Sequence, residues 1–454
     1  MASTAVESIL FSGSFGHDQM QQLFSDESLV ESLLRVEGAL SRAEAAVGLI
    51  PEDAAREISE KASHPENFSL RDIRKGLDAT GHSLVALVRL LTDACEGEAA
   101  GYVHWGATTQ DIYDSANALR YKKAFRIVLD YLYRIRDAAA RLAEREADTL
   151  IALRTHGQHA LPGTFGYKVA VWAWEIQRHI ERWEQAAPRV LVGNITGAVG
   201  TYAGFGGKGE EIQRLAMEDL GLGAPEICWH SSRDRSAEIA ALLTMTAGTL
   251  EKIASEVYRL STTEYGEVEE PFFAGKVGSS TMPHKRNPAI CEAIITCGKA
   301  IRAEASQIFE AMTQEHERHS ALWKTEWVAF PNCFIMLGSQ LAKTLKVLSE
   351  MRVDRERMRQ NLDLLHGAIM SEAVMLELGH HVGRGRAHDL VYGASMKAFE
   401  QKRPLRDCLL EEPEVMAHLT EADLDRLLDY RAYIGDAPKL ARRPAELFLR
   451  KPTQ

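Results

Sequence analysis

Apolar residues recur along the chain at alternating steps of four and three, the spacing of a seam on a helix that packs against other helices. The clearest case is Ile239, Leu243, Thr246, Leu250, Ile253, Val257 and Leu260, with Thr246 its only polar member. Phe125, Val128, Leu132, Ile135, Ala139 and Leu142 form a second seam, and Leu337, Leu341, Leu345 and Leu348 a third. These seams report a packed core, not chemistry. Period-2 patterns with hairpin signals are scarce, so the spacing predicts an all-α chain built on a bundle of long helices. Glycine-rich stretches at 193–209, 273–280 and 379–385 are expected as loops at bundle ends, where functional side chains tend to collect. The expected division is an N-terminal helical domain at 1–105, a central long-helix domain at 106–355 and a C-terminal helical domain at 356–454.

Composition narrows the class. Of 454 residues, 45% are hydrophobic and 26% charged, the balance of a soluble globular protein and not of a disordered one. The 53 basic and 64 acidic side chains give a net charge of −11, and no run of Lys and Arg breaks that balance. A general nucleic-acid partner is therefore not expected. A small anionic substrate remains compatible, because a site needs only a few local cations. No stretch of about 18 uncharged apolar residues occurs, so no membrane partner is expected. The opening Met1-Ala2-Ser3-Thr4-Ala5-Val6-Glu7 does not read as a secretory signal. The cysteines at 95, 228, 291, 297, 333 and 408 are scattered without a C-x-x-C pair, which fits reduced thiols in the cytoplasm.

A few segments concentrate chemistry. Gly278-Ser279-Ser280-Thr281-Met282-Pro283-His284-Lys285-Arg286-Asn287-Pro288 places two hydroxyls, several cations and an amide on one short stretch, otherwise readable as a polar inter-helix loop. In His104-Trp105-Gly106-Ala107-Thr108-Thr109-Gln110-Asp111, Thr109 or Asp111 is a plausible helix N-cap. Arg154-Thr155-His156-Gly157-Gln158-His159-Ala160 has two histidines three apart, which suits a metal only on one helical face; no third ligand accompanies them, so no metal is expected. His82, in Asp78-Ala79-Thr80-Gly81-His82-Ser83, reads on its own as a polar residue before a helix. Gly193 to Gly200 lacks the G-K-[ST] ending of a phosphate loop and follows no strand pattern, so no nucleotide cofactor is expected.

The order of residues from Gly278 to Pro288 resembles the signature G-S-S-x-M-P-x-K-x-N-P of the fumarase/aspartase superfamily, and every fixed position matches. The resemblance runs from about residue 14 to about residue 440, with several other segments in the family's chain order. It implies three helical domains whose long helices form a twenty-helix core in a homotetramer, and a small dicarboxylate substrate. It also implies roles. Ser279 is the base, with Ser280 the close alternative. His156 acts as general acid or orients one, His82 is the second active-site histidine, and Lys285 stabilises charge. Substrate contacts fall on Thr108, Thr109, Thr155, Gln158, Ser280, Met282, Asn287, Arg233 and Arg384. Arg233 or the neighbouring Arg235 can instead merely cap charges.

These residue types suit β-elimination from a substituted succinate. The proton to be removed lies beside a carboxylate, and its loss creates a dianionic aci-carboxylate that prearranged cations, amides and hydroxyls must stabilise. A serine serves as base only where positive charge and backbone N–H groups stabilise its oxyanion. The leaving group then takes a proton from a histidine. Two branches of the superfamily are represented. Phe15-Gly16, Phe24-Ser25-Asp26-Glu27, Val36-Glu37-Gly38-Ala39-Leu40, His104 to Asp111 and Trp323-Lys324-Thr325-Glu326-Trp327 look like 3-carboxy-cis,cis-muconate cycloisomerases. Thr155-His156-Gly157-Gln158 and His82 look like adenylosuccinate lyases, whereas bacterial cycloisomerases typically carry a bulky non-acidic residue at the position of His156. The resemblance thus implies a lyase that splits a C–N bond in an N-substituted aspartate and releases fumarate, or alternatively a lactone-forming cycloisomerase. A spacing of four between the two tryptophans favours packing over a pocket role.

Overall fold

The computed structural model describes residues 4–272 and 281–449. As the apolar spacing predicts, the chain is all-α in class, with long helices at Asp26–Ala46, Thr109–Arg145, Phe165–Val190, Asp234–Leu260, Ala289–Glu310 and Ser320–Glu350. Every member of the 239–260 and 125–142 seams is buried, and Leu337, Leu341 and Leu348 are too; Leu345 is half-buried. No described helix is long and apolar enough to cross a membrane.

The chain divides into two compact units. The first comprises residues 1–131, 179–250 and 296–342, the second 132–178, 251–295 and 343–454. In the first unit, Asp26–Ala46 packs against Glu52–Ala62 and Gly209–Leu220. Leu34, Leu40, Ile58, Leu87, Ile112 and Phe205 belong to one buried cluster there. The polar member of the long seam has a partner: Thr246 Oγ1 accepts the indole N–H of fully buried Trp183 at 2.9 Å. That bond removes the cost of burying both groups unpaired. The Leu70–Thr80 helix ends at Gly81, whose φ of +71° is open to glycine at little cost. His82 follows immediately and caps the next helix, Ser83–Ala94.

The second unit contains a hairpin that the sequence does not announce. Leu150–Thr155 pairs antiparallel with Gln158–Thr164, and His156 and Gly157 form the two-residue turn at φ +52° and +78°. Both positive φ values are those of the tight turn that matches strand twist. A second pairing joins Val268–Glu269 to Arg352–Val353. The C-terminal helices Ser371–Val382 and Arg384–Gln401 close over Val374, Leu378, Ala387, Val391, Leu405 and Leu409.

Candidate active site

Three of the expected site residues sit at the N-terminal end of two helices in the first unit. His82 Nδ1 accepts the backbone N–H of Val85 at 3.4 Å, which leaves the ring proton on Nε2. Nε2 lies 3.3 Å from Thr109 Oγ1 and so donates to it. His82 therefore caps a helix and, through the same geometry, presents a fixed tautomer beside Thr108 and Thr109. Thr109 begins the long Thr109–Arg145 helix, and the backbone N–H of Thr108 donates to Asp111 Oδ2 at 3.1 Å.

Asp111 anchors this corner. It is fully buried and also accepts from the backbone N–H groups of Thr196 at 3.0 Å and Gly197 at 2.8 Å, from Thr196 Oγ1 at 3.3 Å and from His230 Nε2 at 2.9 Å. The glycine-rich stretch is thus tied by its backbone to the start of the helix. Arg318 closes the far side, donating to Gln110 Oε1 at 2.7 Å and to the Ala198 carbonyl at 3.0 Å. Burial pushes His230 down, but the bonds and charge of Asp111 and Cys228 outweigh it and hold the imidazole up to about 9. Burial likewise pushes Cys228 up, but hydrogen bonds from His230 and Thr196 bring the thiol down to about 7. Thr196 Oγ1 lies 3.2 Å from its Sγ. Each shift favours the charged form of its group, the thiolate and the imidazolium.

Asp111, Arg318 and Cys228 all stand in the sequence without drawing notice for this role, and His230 gives no local signal at all. His230 lies 119 residues from Asp111 and Arg318 lies 208 from Gln110, so only the fold assembles them.

Arg233 is placed differently from a substrate ligand. It is 2% exposed and donates to both oxygens of Asp114 (2.9 and 3.1 Å) and both of Glu326 (2.8 and 2.6 Å). Ser236 also donates to Glu326 at 3.0 Å. Four donor contacts to two buried carboxylates occupy the guanidinium, so it caps charges inside the first unit. Trp323 donates its indole N–H to Asp114 at 3.0 Å, and Trp327 stacks on Tyr113 with ring centres 4.6 Å apart. Trp323 is a packing group, as the spacing predicts; Trp327 packs too, and it also lines a crevice.

The second unit carries the other expected residues. Thr155, His156, Gly157 and Gln158 are all exposed at the hairpin tip. His159 sits on the second strand opposite Arg154, so the two histidines do not share a helical face. The hairpin is anchored at its root: Arg154 makes a two-pronged pair with buried Glu267 at 3.0 and 2.6 Å, and Glu267 also accepts from Asn361 at 2.7 Å. Burial lowers the His159 pKa, and the nearby Arg154 charge lowers it further.

Ser279 and Ser280 lie outside the described residues. The chain on either side of them is pinned by neighbouring acids. Glu269 accepts from Arg286 at 2.7 Å, and Glu270 accepts the backbone N–H of Ile290 at 3.0 Å and of Cys291 at 3.1 Å, which caps the Ala289–Glu310 helix. Lys285 and Met282 are exposed, and Asn287 is half-buried. His284, Arg286 and Asn287 line a cavity of about 270 Å³ with Glu269 and Arg352. Arg384 is exposed at the start of its helix, after Gly383 at φ +82°.

Comparison with known proteins decides the family. Residues 13–332 match the lyase family, and residues 367–443 match the adenylosuccinate lyase C-terminus. The chain belongs to the fumarase/aspartase superfamily. Within it, the chain is 43% identical to N-acetyl-S-(2-succino)cysteine lyase of Dickeya dadantii (strain 3937), over 97% of this chain and 96% of that protein. It is 40% identical to adenylosuccinate lyase of Methanocaldococcus jannaschii, over 94% of this chain and 93% of that one. The crystal structure of 3-carboxy-cis,cis-muconate lactonizing enzyme from Pseudomonas putida superposes with a TM-score of 0.91 at 37% identity, covering 97% of this chain and 99% of that chain. The mixed resemblance read from the sequence is therefore a property of the whole chain. As a member of this superfamily it is a lyase-family enzyme.

Proposed function

We propose that this lyase catalyses β-elimination from a C2-substituted succinate and releases fumarate. The substrate is an N-substituted aspartate, as in the adenylosuccinate lyases, or its sulfur counterpart, an S-(2-succino) thioether. Ser279 removes the proton from C3 and the electron pair passes into the adjacent carboxylate; it then returns to form the C2=C3 bond as the bond from C2 to the nitrogen or sulfur breaks. His156 returns a proton to the leaving atom. Lys285, Asn287 and the hydroxyls of Thr108 and Thr109 stabilise the aci-carboxylate formed in between, Ser280 and Gln158 hold substrate carboxylate, and Thr155, Met282 and Arg384 complete the substrate contacts. His82 presents Nε2–H toward the same hydroxyls.

The observation that carries this reading is the Thr155-His156-Gly157-Gln158 turn. It offers a histidine, with free access to solvent and no packing duty, on a tip rooted by the Arg154–Glu267 pair. An elimination whose leaving atom needs a proton requires such a group. Because the tip is exposed in its own unit, partner subunits of a homotetramer complete the site around it. A second reading, an intramolecular lyase of the lactone-forming type, draws on the 0.91 TM-score to the lactonizing enzyme. It uses the same carbanion chemistry with a ring oxygen as leaving group.

Proton NMR of the purified protein separates the readings. Tubes contain N-acetyl-S-(2-succino)cysteine, adenylosuccinate or 3-carboxy-cis,cis-muconate. Fumarate signals from either of the first two support the proposal and name the leaving atom. Lactone signals from the third, with no fumarate in the others, overturn it. His156→Gln should lower turnover of an amine-releasing substrate by roughly 10²–10⁴-fold, the range of general acid catalysis. The loss should be smaller for a thioether, since a thiol of pKa about 8.5 leaves readily as thiolate.

A further inference from the structure

A crevice of about 430 Å³ opens in the first unit, among the helices Asp26–Ala46, Leu70–Thr80, Thr109–Arg145 and Ser320–Glu350. Its walls are apolar and aromatic, with Leu29, Leu33, Leu77, Leu87, Tyr113 and Trp327. One feature is out of place in such a setting. Arg120 lines the crevice and is 5% exposed. Its Nε donates to the Leu23 carbonyl at 3.1 Å and its Nη1 to Asn117 Oδ1 at 3.2 Å, both neutral acceptors. The guanidinium lies 4.8 Å from the centre of the Phe24 ring. Among the described residues it forms no ion pair, and its Nη2 has no hydrogen-bond partner.

A buried guanidinium ordinarily faces a carboxylate, because stripping its water without a counter-charge is costly. Burial here brings Arg120 down to about 10. Of the other charged groups at the crevice only Asp26 offsets it, and in part. Glu326 is taken by Arg233 and Ser236, Arg74 is exposed and pairs with Asp78 at 2.9 Å, and Asp26 is exposed at the rim, beyond ion-pair distance. The interior therefore holds a positive charge that no ion pair meets and that Asp26 at the rim offsets only in part, in a largely apolar cavity of the size that takes a small organic molecule.

We propose that this crevice is a second ligand site, for a small organic anion that carries one carboxylate on an apolar or aromatic body. The carboxylate takes the open side of Arg120, and the body lies against Tyr113 and the leucines. The site also touches the machinery described above. Ser83, the residue after His82, lines the crevice, and its Oγ lies 2.5 Å from the Tyr113 hydroxyl. A ligand against Tyr113 thus lies beside the helix start that fixes the His82 ring. The proposal does not depend on which substrate the enzyme takes.

Phenylacetate is the probe, with binding to the intact protein followed by saturation-transfer NMR. The expected result is transfer to phenylacetate, none to phenethylamine, and no displacement by fumarate. Arg120→Gln should weaken binding at least tenfold. Leu77→Trp, which fills the cavity from a half-buried helix position and removes no charge, should abolish it. If Arg120→Gln does not fold, Leu77→Trp decides alone. Absence of transfer at millimolar phenylacetate, displacement by fumarate, or unchanged affinity in a folded variant overturns the proposal.

Discussion

Cys228 and His230 show how two residues can change each other's chemistry. Relative to ordinary values of 6.5 and 9.0, the imidazole is raised to about 9 and the thiol lowered to about 7. The raised histidine contributes stability that is full below 6.5 and lost as pH rises through about 9. The lowered thiol contributes stability that is full above 9 and lost as pH falls through about 7. Between pH 7 and 9 the two slopes oppose each other, so thermal stability should be nearly flat there. In Cys228→Ala only the histidine slope remains, and the melting temperature should fall across the same window. Melting curves of both proteins at several pH values check this; a flat profile in the variant would show that the imidazole is not held up once the thiol is gone. Alkylation by iodoacetamide near pH 7.5 should fall roughly tenfold in His230→Gln, as the thiol returns toward its ordinary range. Arg233 makes a different residue-scale prediction. Arg233→Met leaves Asp114 and Glu326 buried without a counter-charge and should cost about 3–5 kcal/mol, read by urea unfolding. The sequence marks Arg233 as a charged residue before a long helix, which fits either a ligand or a cap. Only the positions of Asp114 and Glu326, set by tertiary packing, distinguish the two.

At the scale of elements, the helical seams were legible because burial on one face leaves a periodic trace. Thr246 interrupts its seam and is nonetheless buried, since Trp183 satisfies it across sequence. The 150–164 hairpin was not legible. Leu150–Thr155 does not alternate cleanly, Pro162 and Gly163 interrupt the second strand, and the turn is His-Gly where Asn-Gly is the stronger signal. The two consecutive positive φ values nonetheless make a prediction. A Cβ at Gly157 would meet nothing within 4 Å, so Gly157→Ala suffers only backbone strain. It should cost about 1 kcal/mol and lower turnover by moving His156, with the far-ultraviolet circular dichroism unchanged. Arg154→Met strikes the root of the same hairpin and leaves Glu267 buried with Asn361 alone. It should destabilise more than Gly157→Ala, by the measure of a melting experiment.

At the scale of the whole molecule, the class of fold and the family were legible from periodicity and from one ordered loop. The two compact units were not, because each gathers three separated stretches of chain. The proposed tetramer has a sharp test. If partner subunits complete each site, His156→Gln and Lys285→Met proteins are each inactive, and mixing and reassociating them should restore a fraction of wild-type turnover. No recovery, or a fully active monomer by sedimentation and assay together, would refute shared sites. The exposed turn at His156 has a last consequence, for how such an enzyme changes over generations. A side chain that supports none of its own unit's packing can be exchanged with little effect on folding. The scaffold can then pass through many sequences that differ at this tip and remain intact, so that the reaction can vary while the fold does not.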